Sequence, residues 1–390
     1  MNLLNKTVIF RAPVASVSGY GVHSRQIAVM LDKLAQKYNW QLFFQITPWG
    51  QTPFLLRDYP EKDIVMKYNK PYNLNTKPDI SVQLILPNEF QLDLAHYNIG
   101  ITAGVETDRC NPKWVEACNK MDMVIVPSQH IKKTFENSGK LNKEIFVLNE
   151  SYNPDIFTED LECDLDLDFD TDFNFLMLGQ ITGDMETDRK NIGNGIAMFC
   201  QEFAGSKDAG LVLKTNSATN SKIDKLITTN NIKQLLSQVR KGEYPKVHVI
   251  HGPMTELEIA KLYKHKKIKA FFLPTRGEGM CLPAIESAVS GLPMAITDWS
   301  GHKDIIDLVD KSCVRLSYNI VPIKRFDDNI FVKDARWAEV IPDDVKKKLR
   351  KLVDSYAVPL SWAKELQEVA RKKFHPDLLY NEFVELLERA

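Results

Sequence analysis

No stretch of this 390-residue chain reaches the roughly 18 consecutive apolar residues that a membrane-spanning helix needs. Such a helix is therefore excluded. The opening MNLLNKTVIF runs straight into a strand pattern and holds no cleavage site, so no secretory signal is expected. Cysteine is sparse. Cys110, Cys118, Cys163, Cys200, Cys281 and Cys313 form no CxxC pair and no even framework, which points to reduced thiols in a cytoplasmic compartment. An excess of either charge is also missing: 50 Lys and Arg face 51 Asp and Glu, a net charge of −1. A chain whose whole surface tracks nucleic acid is thereby disfavoured. Local basic clusters remain at Lys261, Lys264, Lys266, Lys267 and Lys269, and at Lys346, Lys347, Lys348, Arg350 and Lys351. Solvated helix faces are the ordinary use of such clusters.

What is present is a globular composition, 44% hydrophobic and 26% charged, at a length that suits two domains of about 150–200 residues. Apolar runs at 7–11, 80–86, 99–103, 123–126 and 145–148 read as strands. Between them, Ile27, Met30, Leu31 and Leu34 give the stripe of a core-facing helix, and Ser128 caps another. Residues 45–80, rich in Pro, Asn and aromatics, read as long loops. Residues 159–172 carry eight carboxylates in fourteen positions, which no core strand tolerates, and a domain boundary is expected there. Their repeated DxD spacing, from Asp164 to Asp172, reads as a hydrated spacer and not as a metal site. Strands resume at 173–178, 211–214 and 247–250, Thr255 to Glu258 is a capping box, and the chain ends in helix from Ser361. Alternating strands and helices in both halves predict an α/β protein of two doubly wound parallel sheets, with ligands at the C-terminal ends of the strands.

Residues 268–301 concentrate the chemistry. An apolar strand leads to Glu278 and Gly279, and Pro283 is preset for the first turn of a helix that carries Glu286. Gly291 closes that helix before Leu292-Pro293. A strand, a tight loop and a helix N-terminus aim backbone N–H groups at one spot, where a phosphate can settle. Two carboxylates on the rim of an anion site suit a ligand that carries both phosphates and sugar hydroxyls.

The segment Glu278-Gly279-Met280-Cys281-Leu282-Pro283-Ala284-Ile285-Glu286 resembles the donor-site signature of the family-4 (group 1) retaining glycosyltransferases. That resemblance implies the GT-B fold: two Rossmann-like domains facing a cleft, with the C-terminal helix crossing back to the first. It places the acceptor-side domain at 1–165, joined by 372–390, and the donor domain at 166–371. It also implies a metal-independent enzyme without a cofactor. Such an enzyme moves a sugar, with retention, from a nucleoside diphosphate sugar, UDP-linked in preference to GDP-linked, to an acceptor hydroxyl. Implied acceptors are a glycan, a metabolite, a lipid or a hydroxymethylated base in phage DNA. A nucleotide-sugar epimerase and a non-catalytic nucleotide-sugar-binding protein are the alternatives.

By the same resemblance, Glu278 serves the transferred sugar and Glu286 the ribose hydroxyls, while Arg189 and Lys190 neutralise the diphosphate. Glu106 orients or deprotonates the acceptor. Gly19, Tyr20 and Gly21 form a glycine loop over the diphosphate, Lys214 reaches toward the donor, and Pro253 and Met254 read the base. Gly279, Met280, Cys281 and Leu282 line the phosphate turn. The chain departs from the pattern twice. Gln180 stands where the family has an arginine, and Cys281 where it has a glycine.

Overall fold

Apolar runs bounded by turn residues become strands buried on both faces, as parallel sheets require. The computed structural model describes residues 2–389, apart from 51, 53, 55–58, 73–75, 219 and 328. In the first half β1 (Thr7–Ala12), β2 (Gln41–Ile46), β3 (Ile80–Leu84), β4 (Tyr97–Ile101), β5 (Met123–Val126) and β6 (Ile145–Val147) form one sheet. Its order is β2-β1-β3-β4-β5-β6, and every described pairing is parallel. The second half holds β7 (Asn174–Leu178), β8 (Gly210–Thr215), β9 (Lys246–His251), β10 (Ile268–Leu273), β11 (Met294–Thr297) and β12 (Val314–Leu316). Its parallel sheet runs β12-β11-β10-β7-β8-β9. A small antiparallel hairpin, β13 (Tyr318–Pro322) and β14 (Arg336–Val340), follows.

The strand order reverses between β1 and β3 in one sheet and between β7 and β10 in the other. At such a point the crossover helices leave toward opposite faces and open a crevice at the strand ends. Two compact units divide the chain: residues 1–151 with 326–335 and 374–390, and residues 152–325 with 336–373.

In the first unit, the helix Gly19–Tyr38 buries Ile27, Met30, Leu31 and Leu34 against β1 and β3 side chains such as Phe10 and Val82. The closing helix Pro376–Arg389 adds Leu379, Phe383, Val384, Leu386 and Leu387 to the same core, while Leu378 stays 40% exposed. In the second unit, Phe175, Phe199, Phe203 and Phe272 meet ring to ring at centroid distances of 5.1–6.3 Å. They join the sheet to the helix Ile192–Glu202.

Several expectations need correction. Gly19, Tyr20 and Gly21 are not a loop but the first turn of a helix, because the Ser18 hydroxyl accepts from the Gly21 N–H at 3.1 Å and caps it. The span 45–80 is not all loop. Gln41–Ile46 is a strand in the sheet, and Lys62–Tyr68 is helical. The first compact unit runs to Ser151, and the acidic run belongs to the second. That run is extended and alternates outward carboxylates with inward apolar residues, Phe169 being buried between His248 and His265. Lysines offset part of its charge: Lys261 pairs with Asp164 at 2.7 Å, Lys267 with Asp168 at 3.4 Å and Lys246 with Asp170 at 3.5 Å.

Two neighbouring glycines separate conformational need from convenience. A Cβ on Gly21 would lie 2.0 Å from the Ser16 carbonyl oxygen, whereas one on Gly19 would meet nothing within 4 Å. Gly21→Ala is therefore expected to cost about 1–3 kcal/mol, and Gly19→Ala less than about 0.5 kcal/mol. Urea unfolding of the two variants measures the contrast, and equal costs would refute the assigned close approach.

Candidate active site at the end of the second sheet

The loop after β7 and the loop after β10 flank the point where strand order reverses, and each delivers charge to it. Glu278 is 4% exposed and lies beyond the end of β10, in the loop, so it does not close the strand as its sequence context suggested. Its carboxylate accepts from Lys190 Nζ at 2.8 and 2.9 Å and pairs with Arg189 Nη1 at 2.9 Å. The Thr275 hydroxyl donates to it at 2.8 Å. Burial alone would raise this carboxyl, but Arg189 and Lys190 hold it down to about 2. Two cations against one carboxylate leave the cluster net positive by one, which favours a polyanionic ligand. Arg189 and Lys190 stand just before the helix Ile192–Glu202, where the peptide dipoles disfavour cations, and Glu278 supplies the countercharge.

The backbone around Glu278 is pinned from both sides. Ser300 Oγ accepts from the Glu278 N–H, and the Gly301 N–H donates to the Glu278 carbonyl, both at 3.0 Å. Gly301 passes so close that a Cβ there would lie 1.9 Å from the Gly279 carbonyl oxygen. Cys281, at φ +87°, and Ser300, at φ +81°, hold left-handed conformations that cost a side-chain-bearing residue about 1–3 kcal/mol. Cys281 thus keeps a glycine's backbone while carrying a buried thiol. Gly279 and Met280 are buried beside it, and Leu282 opens the helix Leu282–Val289.

Glu286 sits in the second turn of that helix, where Tyr263 Oη donates to its Oε2 at 2.9 Å. Burial pushes the Glu286 carboxyl up to about 7, against the Tyr263 hydrogen bond and with help from Glu256. Tyr263 was not singled out from sequence. Its only sequence signal is its place at the end of a capped helix.

Lys214, at the end of β8, is 6% exposed and donates to the Gly252 carbonyl at 2.7 Å. Burial lowers its ammonium to about 8. Its observed contact fixes the loop that leads to Pro253 and Met254, so it acts on that loop's position. Gln180 is exposed in the loop after β7, next to Gly179, whose Cα faces the Lys190 side chain.

Tyr20 and Glu106 lie in the first unit. The Tyr20 hydroxyl accepts from the Ala103 N–H at 3.0 Å and meets Thr102 Oγ1 at 3.3 Å, while its ring stacks on Trp49 at 3.8 Å. Burial, aided by the nearby charge of Glu106, raises its phenol well above the ordinary value. Tyr20 thus ties the first turn of the helix after β1 to the loop after β4 that carries Glu106. Trp49, which completes this arrangement, went unnoticed in the sequence.

No family model matches the sequence, and no curated protein matches it. Solved structures do match in three dimensions. A sucrose-phosphate synthase from Thermosynechococcus elongatus gives a TM-score of 0.65 at 13% identity over 99% of each chain. An α,α-trehalose 6-phosphate synthase from Burkholderia multivorans gives 0.62 at 8% identity, also over 99% of each. Anabaena HepE, in complex with UDP and glucose, gives 0.60 at 10% identity over 99% of this chain and 100% of its own. The fold is GT-B. Within the GT-B fold, the Arg189, Lys190 and Glu278 cluster occupies the switch point of the second sheet.

The two glutamates carry opposite pH signatures. Glu278, depressed to about 2, contributes stability that is present above about pH 4.5 and lost as pH falls toward 2. Glu286, raised to about 7, contributes stability that is full below about pH 4.5 and lost as pH rises through 7. Glu286→Gln is expected to flatten the stability profile between pH 5 and 8 and leave the acid limb intact, as read by denaturant midpoints across pH. An unchanged profile would remove the assignment.

Proposed function

We propose that the chain is a retaining, metal-independent glycosyltransferase that moves a sugar from a nucleoside diphosphate sugar to an acceptor hydroxyl. The observation that carries this reading is the net-positive Arg189–Lys190–Glu278 cluster beside a helix N-terminus, at the strand-order reversal of a GT-B sheet. The barrier to glycosyl transfer lies mainly in expelling the diphosphate. Fixed cations at the leaving group lower it most, because their orientation is prepaid by the fold.

In this reading Arg189 and Lys190 hold the diphosphate and stabilise the charge that develops as the glycosidic bond breaks. Glu278 orients the two cations and, as phosphate takes over part of their charge, accepts hydroxyls of the transferred sugar. Glu286 accepts the ribose hydroxyls, with Tyr263 fixing its rotamer. Gly279, Met280 and Cys281 present backbone toward the phosphates, and the Lys214-anchored loop at Pro253 and Met254 faces the base. In the first unit, Glu106 is assigned to the acceptor hydroxyl, and Gly19, Tyr20 and Gly21, at a helix start, to phosphate binding. UDP is favoured as the nucleotide because HepE is solved with UDP-glucose and an E. coli trehalose-6-phosphate protein with UDP-2-fluoro glucose. Retention follows from the resemblance of the 278–286 signature.

Acceptor hydroxyls of a glycan, a metabolite or a lipid all fit. A hydroxymethylated DNA base is the weaker fit, since four lysines of the two basic clusters pair with carboxylates: Lys261 and Lys267 with the acidic run, Lys346 and Lys348 with Asp343 and Asp344. One second reading has support. The uncharged Gln180 and the thiol of Cys281 in the phosphate turn favour a protein that binds the nucleotide sugar without turning it over.

A panel of UDP- and GDP-sugars is expected to yield one donor that raises the melting temperature by mass action. Lys190→Ala should cut turnover of that donor by roughly 10²–10³, and Glu286→Ala should weaken its binding. Radiolabelled donor then distinguishes transfer or slow hydrolysis from binding alone. Wild-type turnover in Lys190→Ala would sink the role given to that side chain, and no stabilising donor would sink the function.

A further inference from the structure

Beside the loop that carries Arg189 and Lys190, an open cleft of about 610 Å³ is lined in part by Met185, Asn194, Met198, Val321, Trp337 and Arg276. Arg276, 2% exposed and two residues before Glu278, donates from Nη1 to the Asp188 carbonyl and from Nη2 to the Met185 carbonyl, both at 2.8 Å. Its own N–H donates to the Arg189 carbonyl at 2.9 Å.

Arg276 is in turn held by the β13–β14 hairpin. Its Nε and Nη2 both reach Glu339 Oε2 at 2.6 Å, its guanidinium lies over the Trp337 ring at 5.3 Å, and the Ala338 N–H donates to its carbonyl. Glu339 Oε1 completes the circuit by accepting from Asn191 Nδ2 at 3.1 Å, one residue past Lys190. A planar guanidinium with several donors in a fixed fork can fix two carbonyls and a carboxylate at once, which an ammonium cannot.

We propose that Arg276 and Glu339 form a clamp that fixes the backbone of residues 185–191 and thereby aims Arg189 and Lys190 at the donor diphosphate. Both are positioning residues. This inference rests on the donor site proposed above, and it assigns the hairpin, which stands outside the six-stranded sheet, a part in donor binding. The bland alternative is a buried arginine that stabilises the unit without affecting the site.

Hydrogen exchange on the ligand-free chain and calorimetric titration with UDP separate the two. In Glu339→Gln, amides within 185–191 should exchange at least roughly tenfold faster, and the Kd for UDP should rise about tenfold. In an Arg189→Ala, Lys190→Ala background the same substitution should change the Kd less than about twofold, because the cations it aims are gone. Arg276→Lys keeps the charge, loses the fork, and should reproduce both changes; it also covers the case in which Glu339→Gln fails to fold. Unchanged exchange at 185–191, or equal Kd changes in both backgrounds, overturns the clamp alone. A wild-type chain that does not bind UDP overturns the donor reading and the clamp's role with it.

Discussion

One buried carboxylate organises the second unit's site. Glu278 neutralises two cations that would otherwise repel each other at the start of a helix, where the peptide dipoles already disfavour them. Removing its charge would leave Arg189 and Lys190 uncompensated in a largely buried place, a loss of about 3–5 kcal/mol for a pair of this kind. The surrounding backbone is built to keep it there. Ser300 and Gly301 hold the N–H and carbonyl of Glu278, and Thr275 holds its side chain. Lysine, arginine and glutamate come from loops 88 residues apart in sequence, and only the adjacency of β7 and β10 makes them neighbours.

Strain collects in the same place. Asn191, Cys281 and Ser300 all adopt left-handed backbones, and they flank the cations, the phosphate turn and the Glu278 anchor in turn. Asparagine tolerates that conformation; cysteine and serine do so only when their surroundings over-determine it. Here the close passage of Gly301 over the Gly279 carbonyl leaves the turn no slack to relax. The arrangement is stiff before any ligand arrives, as electrostatic stabilisation of a leaving group requires.

Much of the fold was legible in the sequence because buried parallel strands are near-continuous apolar runs. Met123–Val126, the Ser128 cap and the Thr255–Glu258 capping box follow from residue type alone. Strand Gln41–Ile46 was hidden by its two glutamines and by the irregular stretch after it. The Gly19–Gly21 segment was misread as a loop, because glycine signals a turn more strongly than Ser18 signals a cap. For the site, the spacing of Glu278 and Glu286 with Pro283 and Gly291 was enough to place a strand, a tight loop and a helix start in that order. Tyr263, Arg276, Ser300 and Glu339 were not legible. Their roles depend on which loops the sheet order brings together, and no local pattern encodes that.

The distribution of charge, more than its sum, sets the character of the site. The acidic run 159–172 lies along the second unit and absorbs Lys246, Lys261 and Lys267 in ion pairs. Arg350 is taken up by Glu202, and Lys348 by Asp344. With those lysines and arginines paired at the surface, Arg189 and Lys190 stand out as a half-buried pair of cations that share the Glu278 carboxylate. Exposed pairs are weakened by water and salt, whereas a desolvated excess charge is not. A chain of net charge −1 can therefore hold a local cluster of cations without being basic along its whole length.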